Sequence, residues 1–144
     1  YAIVSMFGRP NNVKASGILL ESGVDGEGSL ILEYNEMQAD VMFSKIADSY
    51  NPSEIQGEQG CILINHISEV REAKIIYRDG TEEILSEVQE DNTMYYELKH
   101  FIELFKAGDI ESPASNFELT KVMAEIMETA RKEMGVVYPA DSKY

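Results

Sequence analysis

The stretch AKIIYRDGTEEILSEV, residues 73–88, contains the clearest local structural signal of this sequence. Asp79-Gly80 separates two short segments, Ala73 to Arg78 and Glu82 to Val88. An Asp-Gly pair favours a tight turn between two strands, because glycine adopts a positive φ without strain. The stretch therefore predicts a β-hairpin.

The strand pattern extends from this hairpin towards the N-terminus. Five further strands are predicted at Val13 to Glu21, Leu30 to Tyr34, Met37 to Phe43, Ser53 to Gln56 and Cys61 to Asn65. Met37 to Phe43 alternates apolar and polar residues, except that Met42 falls on the polar face. We interpret Gly23 to Gly28 as a glycine-rich turn. Short strands in series indicate an antiparallel meander rather than βαβ units.

Helical patterns lie at both ends of the chain. Residues 1–7 have the spacing of the last turns of a helix, which Gly8 and Pro10 end. Apolar side chains recur at intervals of three and four from Met94 to Phe105 and again from Leu119 to Met134. Each of these two later helices has one apolar face, so we expect both to pack on the same face of the sheet. The sequence thus predicts an α+β fold, with a mostly antiparallel open sheet and helices packed on one face.

Composition narrows the classes of function. The 144 residues suffice for one domain with a buried core. The formal net charge of −14 repels phosphate groups, so we expect neither nucleic acid nor a membrane surface as a partner. Cys61 is the single cysteine, which excludes an internal disulfide and favours a reducing, cytoplasmic location. No apolar run approaches the roughly 20 residues of a membrane-spanning helix.

The common motifs of catalysis and metal binding are missing from the sequence. Gly26-Glu27-Gly28 contains a G-x-G, but it lacks the third glycine and the following helix of a dinucleotide-binding loop. His66 and His100 lie far apart in the sequence, and neither belongs to a cluster with metal-ligand spacing. From motifs alone we identify no metal site and no catalytic residue.

A series of short motifs resembles the Gfo/Idh/MocA oxidoreductases, the superfamily of glucose–fructose oxidoreductase and inositol dehydrogenase. The series begins with the F-G-x-P-x-x-V junction at Phe7 to Val13. The remaining motifs are Ser22 to Gly26, Phe43 to Lys45, Pro52 to Gly60, Tyr96-Glu97, Ser112-Pro113, Ala130 to Gly135 and Tyr138 to Asp141. They follow the family's order along essentially the whole chain, and they are most similar to the sugar- and dihydrodiol-dehydrogenase-like members.

This resemblance implies a two-domain enzyme in which an N-terminal Rossmann domain precedes a single C-terminal domain formed by residues 1–144. The enzyme would transfer a hydride between NAD or NADP and a sugar, polyol or diol. The family's E-K-P lysine belongs to the first domain, and Tyr1 falls just after the family's second catalytic motif. We therefore expect no catalytic residue, no bound cofactor and no turnover in this chain alone.

The resemblance also implies two working surfaces for the domain. The substrate-side candidates are Lys45, Asn92 and Tyr96, whose simpler interpretations are a strand-end charge, a helix cap and a packing aromatic. Side chains between Leu30 and Phe43 are candidates for a homo-oligomer interface on the sheet face that helices leave open. The alternative is a non-catalytic module for oligomerisation or ligand binding.

Overall fold

The strands form two antiparallel sheets in the computed structural model, which describes residues 1–143. Sheet A contains β1 (Asn12–Leu19), β2 (Asp25–Glu33) and β3 (Gln38–Ser44), in that order. Sheet B contains β4 (Ser53–Gln56), β5 (Gly60–Asn65), β6 (Glu72–Tyr77) and β7 (Glu82–Ile84), in that order. Strands that pair are neighbours in the sequence, which confirms the antiparallel meander, but the strands divide into two sheets where we expected one.

The two sheets belong to different compact units. Unit 1 combines Tyr1–Asp48 with the segment that begins at Glu111, and unit 2 is Ser49–Ile110. Unit 1 contains sheet A, the helices α1 (Ala2–Phe7) and α3 (Phe117–Glu133), and a 3₁₀ turn at Pro139–Lys143; unit 2 contains sheet B and the helix α2 (Met94–Ala107). The α+β class with open antiparallel sheets is confirmed.

The hairpin at Asp79-Gly80 forms as predicted. Gly80 has a φ of 85°, and its N–H donates to the Tyr77 carbonyl at 2.9 Å. The Asp79 carboxylate accepts the Thr81 N–H at 2.9 Å, which fixes the turn. The strand after the turn ends at Ile84, earlier than the sequence pattern indicated.

The glycine-rich turn is shorter than predicted, because Asp25 to Gly28 already belong to β2. Gly28 pairs with Gly17 on one side and with Phe43 on the other. A Cβ at Gly28 would lie 2.9 Å from the Ser16 carbonyl oxygen and 3.0 Å from the Phe43 ring. Gly28 therefore permits close packing inside a strand. From the sequence alone, a glycine with this role cannot be distinguished from a glycine in a turn.

One face of sheet A, here called the helix face, supports the core of unit 1. Val4 of α1, Leu32 of β2, and Val122 and Ile126 of α3 are buried and form one cluster. Partly buried side chains pack against it: Ile3, Val13, Leu30, Tyr34, Ala39, Leu119 and Met123. The helix α3 begins at Asn116, whose side-chain oxygen accepts the Leu119 N–H at 2.8 Å. Packing of α1 and α3 against the sheet thus accounts for the folded core of this unit.

The opposite face of sheet A, here called the second face, contains only alternate residues of the expected interface segment. Leu30 and Phe43 lie on the helix face, whereas Ile31 and Met42 lie on the second face, because side chains alternate along a strand. Met42 is 80% exposed. Within the segment from Leu30 to Phe43, only the side chains on the second face therefore remain candidates for the interface.

The outer edge of sheet A is β1, and the last turn of α3 reaches its backbone. The Ala15 N–H donates to the Glu133 carboxylate at 2.5 Å instead of to a neighbouring strand. Lys14, next in the strand, forms an ion pair with Glu33 on the second face. The edge strand is thus joined to the helix by a side-chain hydrogen bond.

The helix α2 has the predicted apolar stripe but not the predicted packing. Its stripe is exposed, with relative accessibilities of 52% at Met94, 57% at Leu98 and 78% at Phe105, and α2 has no buried residue. Among the described residues of unit 2, the one buried apolar side chain is Ile64 of β5. Periodicity fixes which side chains share a helix face, but it does not fix what covers that face.

The C-terminal segment is held against α3 by Arg131. Its guanidinium donates two hydrogen bonds of 2.8 Å to the Asp141 carboxylate and one of 3.1 Å to the Val136 carbonyl. The same guanidinium lies 4.8 Å from the centre of the Tyr138 ring. Val136 is 2% exposed, so the segment packs onto the domain at this residue.

We predict that Leu32→Ala destabilises the chain by about 2–5 kcal/mol, because Leu32 is 3% exposed and its removal leaves a cavity beneath α3. Met127→Ala, on α3 and 63% exposed, is the matched control and should change the free energy of unfolding by less than about 0.5 kcal/mol. Urea unfolding of both variants measures the difference. Equal losses would contradict the assignment of the core.

We predict that Asp141→Asn lowers stability at neutral pH and that this loss disappears in acid. Hydrogen bonds from Arg131 hold the pKa of the Asp141 carboxyl below its ordinary value. The folded pKa therefore lies below the unfolded value of about 3.9, so the stabilisation is present above that pH and is lost as the pH falls through the folded pKa. Urea titrations at several pH values test this, with Asp48→Asn as the control; a loss independent of pH would contradict it.

Candidate functional site

Lys45 follows β3 directly and is attached to the start of β2. Its backbone N–H donates to the Gly26 carbonyl at 2.7 Å, and its ammonium Nζ donates to Asp25 Oδ2 at 2.8 Å. The Ser44 hydroxyl oxygen accepts the backbone N–H groups of Ile46 and Ala47 at 3.2 and 2.9 Å. Backbone and side chain of Lys45 are therefore both fixed relative to sheet A.

Asp25 is the ion-pair partner of Lys45, and it is not among the candidate residues identified from the sequence. Its side chain is 19% exposed, whereas that of Lys45 is 56% exposed. The hydrogen bond from Lys45 is the largest cause that lowers the pKa of the Asp25 carboxyl, which is therefore ionised at neutral pH. The sequence pattern places Asp25 in a turn. The signal that points to the pair is an acidic residue inside the Ser22 to Gly26 motif together with a cationic residue, Lys45, directly after the next strand.

Asn92 and Tyr96 lie together at the start of α2. Asn92 Oδ1 accepts the Met94 N–H at 3.1 Å from one residue before the N-cap position, which Thr93 occupies. The Tyr96 hydroxyl accepts the Glu90 N–H at 2.8 Å, so the ring secures the loop that precedes the helix. Tyr95 packs edge-on against Tyr96, with ring centroids 5.5 Å apart.

The loop before α2 is further joined to the segment between β5 and β6. Arg71 donates to the Asp91 carbonyl at 3.3 Å, and Gln89 donates to the Val70 carbonyl. These bonds, with that of Tyr96, hold residues 89–91 in place. The loop is thus a defined surface of unit 2 rather than a free connection.

The three predicted site residues divide between the units. Asn92 and Tyr96 share the loop–helix junction of unit 2, while Lys45 belongs to unit 1. Unit 1 has an open depression of about 250 Å³ lined by Arg9 to Val13 and by Glu125, Ile126 and Thr129. Unit 2 has one of about 490 Å³ lined by Glu58, Gln59, Tyr77, Arg78, Asp79 and Thr81. None of the three predicted residues lines either depression.

Tyr1 and His66, which were also considered as catalytic or metal-binding residues, form hydrogen bonds that stabilise the fold. The Tyr1 hydroxyl donates to the Ala114 carbonyl at 2.8 Å. His66 has a φ of 51° in the turn that follows β5, and its carbonyl accepts the Glu69 N–H at 2.8 Å. Within residues 1–143, no three His, Cys, Asp or Glu side chains are arranged to hold a metal ion.

The segment Gly26-Glu27-Gly28 does not have the geometry of a dinucleotide-binding loop. Gly26-Glu27-Gly28 lies inside β2, and the next element is the strand β3, so no helix N-terminus is available there for a pyrophosphate. We assign no cofactor contact to this segment. Within residues 1–143, no helix has the length and apolarity required to cross a membrane.

Comparison with known proteins gives sequence relatives but no matching family model. The chain is 48% identical over 141 residues to scyllo-inositol 2-dehydrogenase (NADP(+)) IolU of Bacillus subtilis (strain 168), covering 98% of this chain and 43% of that protein. It is 32% identical over 140 residues to trans-1,2-dihydrobenzene-1,2-diol dehydrogenase of Xenopus tropicalis, covering 91% of this chain and 42% of that protein. The chain thus spans about two fifths of the length of these curated relatives.

A solved structure has the same fold over most of the chain. UDP-N-acetylglucosamine 3-dehydrogenase GnnA from Acidithiobacillus ferrooxidans matches with a TM-score of 0.74 at 13% identity, covering 92% of this chain and 43% of that chain. The identity is low, so this match concerns the fold alone. The sequence relatives and the shared fold agree with the ordered motifs from Phe7 to Asp141: the chain belongs to the Gfo/Idh/MocA oxidoreductases and corresponds to a C-terminal domain of that family.

Proposed function

We propose that this chain is the substrate-side and oligomerisation domain of an oxidoreductase that transfers a hydride between NAD or NADP and a sugar, polyol or diol. The observation that carries the proposal is the 48% identity, over 98% of the chain, to a protein named scyllo-inositol 2-dehydrogenase (NADP(+)). A second relative is named for a dihydrobenzenediol. Both names denote six-membered rings with neighbouring hydroxyl groups, which favours a cyclic polyol or diol as the substrate.

In the proposed enzyme, the two domains contribute different parts of the reaction. Oxidation of a secondary alcohol removes a hydride from carbon and a proton from the hydroxyl group, and it leaves a carbonyl. The nicotinamide, when bound by a nucleotide-binding domain, supplies the hydride acceptor. We assign the proton transfer to residues outside this chain, because the family's E-K-P lysine is missing from this sequence and the Tyr1 hydroxyl donates to the Ala114 carbonyl. This domain then contributes binding and orientation.

Three side chains are suited to that contribution. The Lys45 ammonium has three N–H donors, of which one is directed to Asp25. The Tyr96 hydroxyl accepts a hydrogen bond from Glu90, so its own proton is available to a substrate oxygen. The Asn92 amide nitrogen carries two further donors, while the amide oxygen accepts the Met94 N–H. Hydroxyl-rich substrates need such donors, since a polar group buried without a partner is costly.

We further propose that the second face of sheet A forms the contact in a cytoplasmic homo-oligomer. Exposed apolar side chains on this face include Met42 at 80% and Ile18 at 56%. They lie among polar and charged residues such as Lys14 and Glu33, a composition typical of a specific interface rather than of a core. The free thiol of Cys61 is consistent with a reducing compartment.

We predict that the 144-residue chain alone shows neither NADPH binding nor dehydrogenase turnover. The native polypeptide should reduce NADP⁺ or NAD⁺ with scyllo-inositol or a related ring diol. Nicotinamide absorbance measures turnover, and calorimetry measures NADPH binding. Determining the reading frame upstream of Tyr1 is the control, since it should encode a glycine fingerprint and an E-K-P lysine. Tight NADPH binding by the chain alone would contradict this division of tasks, and an inactive polypeptide without the lysine would favour the non-catalytic module.

We predict that Met42→Glu weakens self-association of the native protein, because the new carboxylate must lose its hydration when the second face is buried. Met127→Glu, on α3 and 63% exposed, is the matched control. Sedimentation velocity over a range of concentrations should show smaller species for Met42→Glu and the wild-type distribution for Met127→Glu. An unchanged distribution for Met42→Glu would exclude this face as the interface.

A further inference from the structure

Lys45 is hydrogen-bonded through both its backbone N–H and its ammonium. Its ammonium donates to Asp25 at 2.8 Å and its backbone N–H to the Gly26 carbonyl at 2.7 Å, so two consecutive residues of β2 fix both ends of it. The Ser44 hydroxyl oxygen then accepts two backbone N–H groups from the residues that follow. The backbone of Lys45 and its ammonium group are therefore both held by hydrogen bonds.

The burial of the ion pair is unequal. The Asp25 side chain is 19% exposed, and the Lys45 side chain is 56% exposed. The carboxylate is thus partly withdrawn from water, while the ammonium remains accessible. Such an exposed pair contributes little to stability, because solvent screens the charges. The arrangement is better explained by a need to hold the cationic group in one orientation.

We propose that Asp25 is a positioning residue that holds the Lys45 ammonium towards a hydroxyl oxygen of the substrate. This inference rests on the proposed function, in which Lys45 is on the substrate side. Asp25 occupies one of the three ammonium donors, and the other two are left for oxygen atoms of a cyclic polyol or diol. Asp25 itself has no contact with the substrate and acts only through Lys45.

A double-mutant cycle in the native polypeptide tests the proposal. Lys45→Gln should raise KM for the polyol roughly tenfold, because a hydrogen bond to a charged group is lost, with kcat changed much less. Asp25→Asn should raise KM by roughly threefold to tenfold. In the Lys45→Gln background, Asp25→Asn should have no further effect on KM. Asp25→Glu should restore part of the lost affinity.

The matched control is Glu82→Gln, which removes the carboxylate from an ion pair with Lys74 at 2.9 Å in sheet B and should leave KM unchanged. A second readout uses the 144-residue chain, where NMR relaxation should show greater mobility of the Lys45 side chain in Asp25→Asn.

The outcomes separate the two proposals. Effects of Asp25→Asn that add to those of Lys45→Gln, or an unchanged Lys45 mobility, would overturn the positioning role while leaving the substrate-side role of Lys45 intact. An unchanged KM in Lys45→Gln would remove Lys45 from the substrate site and overturn this inference, although hydride transfer itself would stand. A native polypeptide without any nicotinamide-dependent turnover would overturn the proposed function.

Discussion

The burial of Leu32 beneath α1 and α3 is the constraint on which the rest of unit 1 depends. Leu32 lies on the central strand of sheet A, and it contacts side chains of both helices in one cluster. Because α1 and α3 cover the helix face, the alternation of side chains along β2 and β3 determines which residues lie on the second face. The same packing places Glu133 beside β1 and brings Arg131 to the C-terminal segment. Core packing and surface chemistry are therefore consequences of one contact.

The elements of this fold follow from local signals, whereas their associations do not. The Asp79-Gly80 hairpin and the three helices are predictable because turn residues, helix stops and apolar spacing act over a few residues. The division into two sheets and the exposed stripe of α2 depend on contacts between segments distant in the sequence. Gly28 shows the same limit, since a glycine in a turn and a glycine in a crowded strand look alike in the sequence.

The candidate site was predictable to a similar degree. The motif that ends in Lys45 identified the cation, and the start of α2 identified Asn92 and Tyr96 as neighbours. The partner of the cation was not predictable, because Asp25 lies twenty positions earlier and its role depends on the pairing of β2 with β3. In the structure, Lys45 forms an ion pair with Asp25 that fixes the position of its ammonium. Orientation of a substrate requires groups that are positioned in advance in this way.

The hydrogen bond between Ala15 and Glu133 has a consequence for how copies of this protein can meet. An unpaired N–H on an edge strand is a template on which a strand of another chain can be added, and such addition continues without limit. Here that N–H is occupied by a carboxylate from the same chain, which also brings negative charge to the edge. Addition of a strand from another copy at this point of β1 is therefore opposed, because the N–H that it would need already has a partner within the chain.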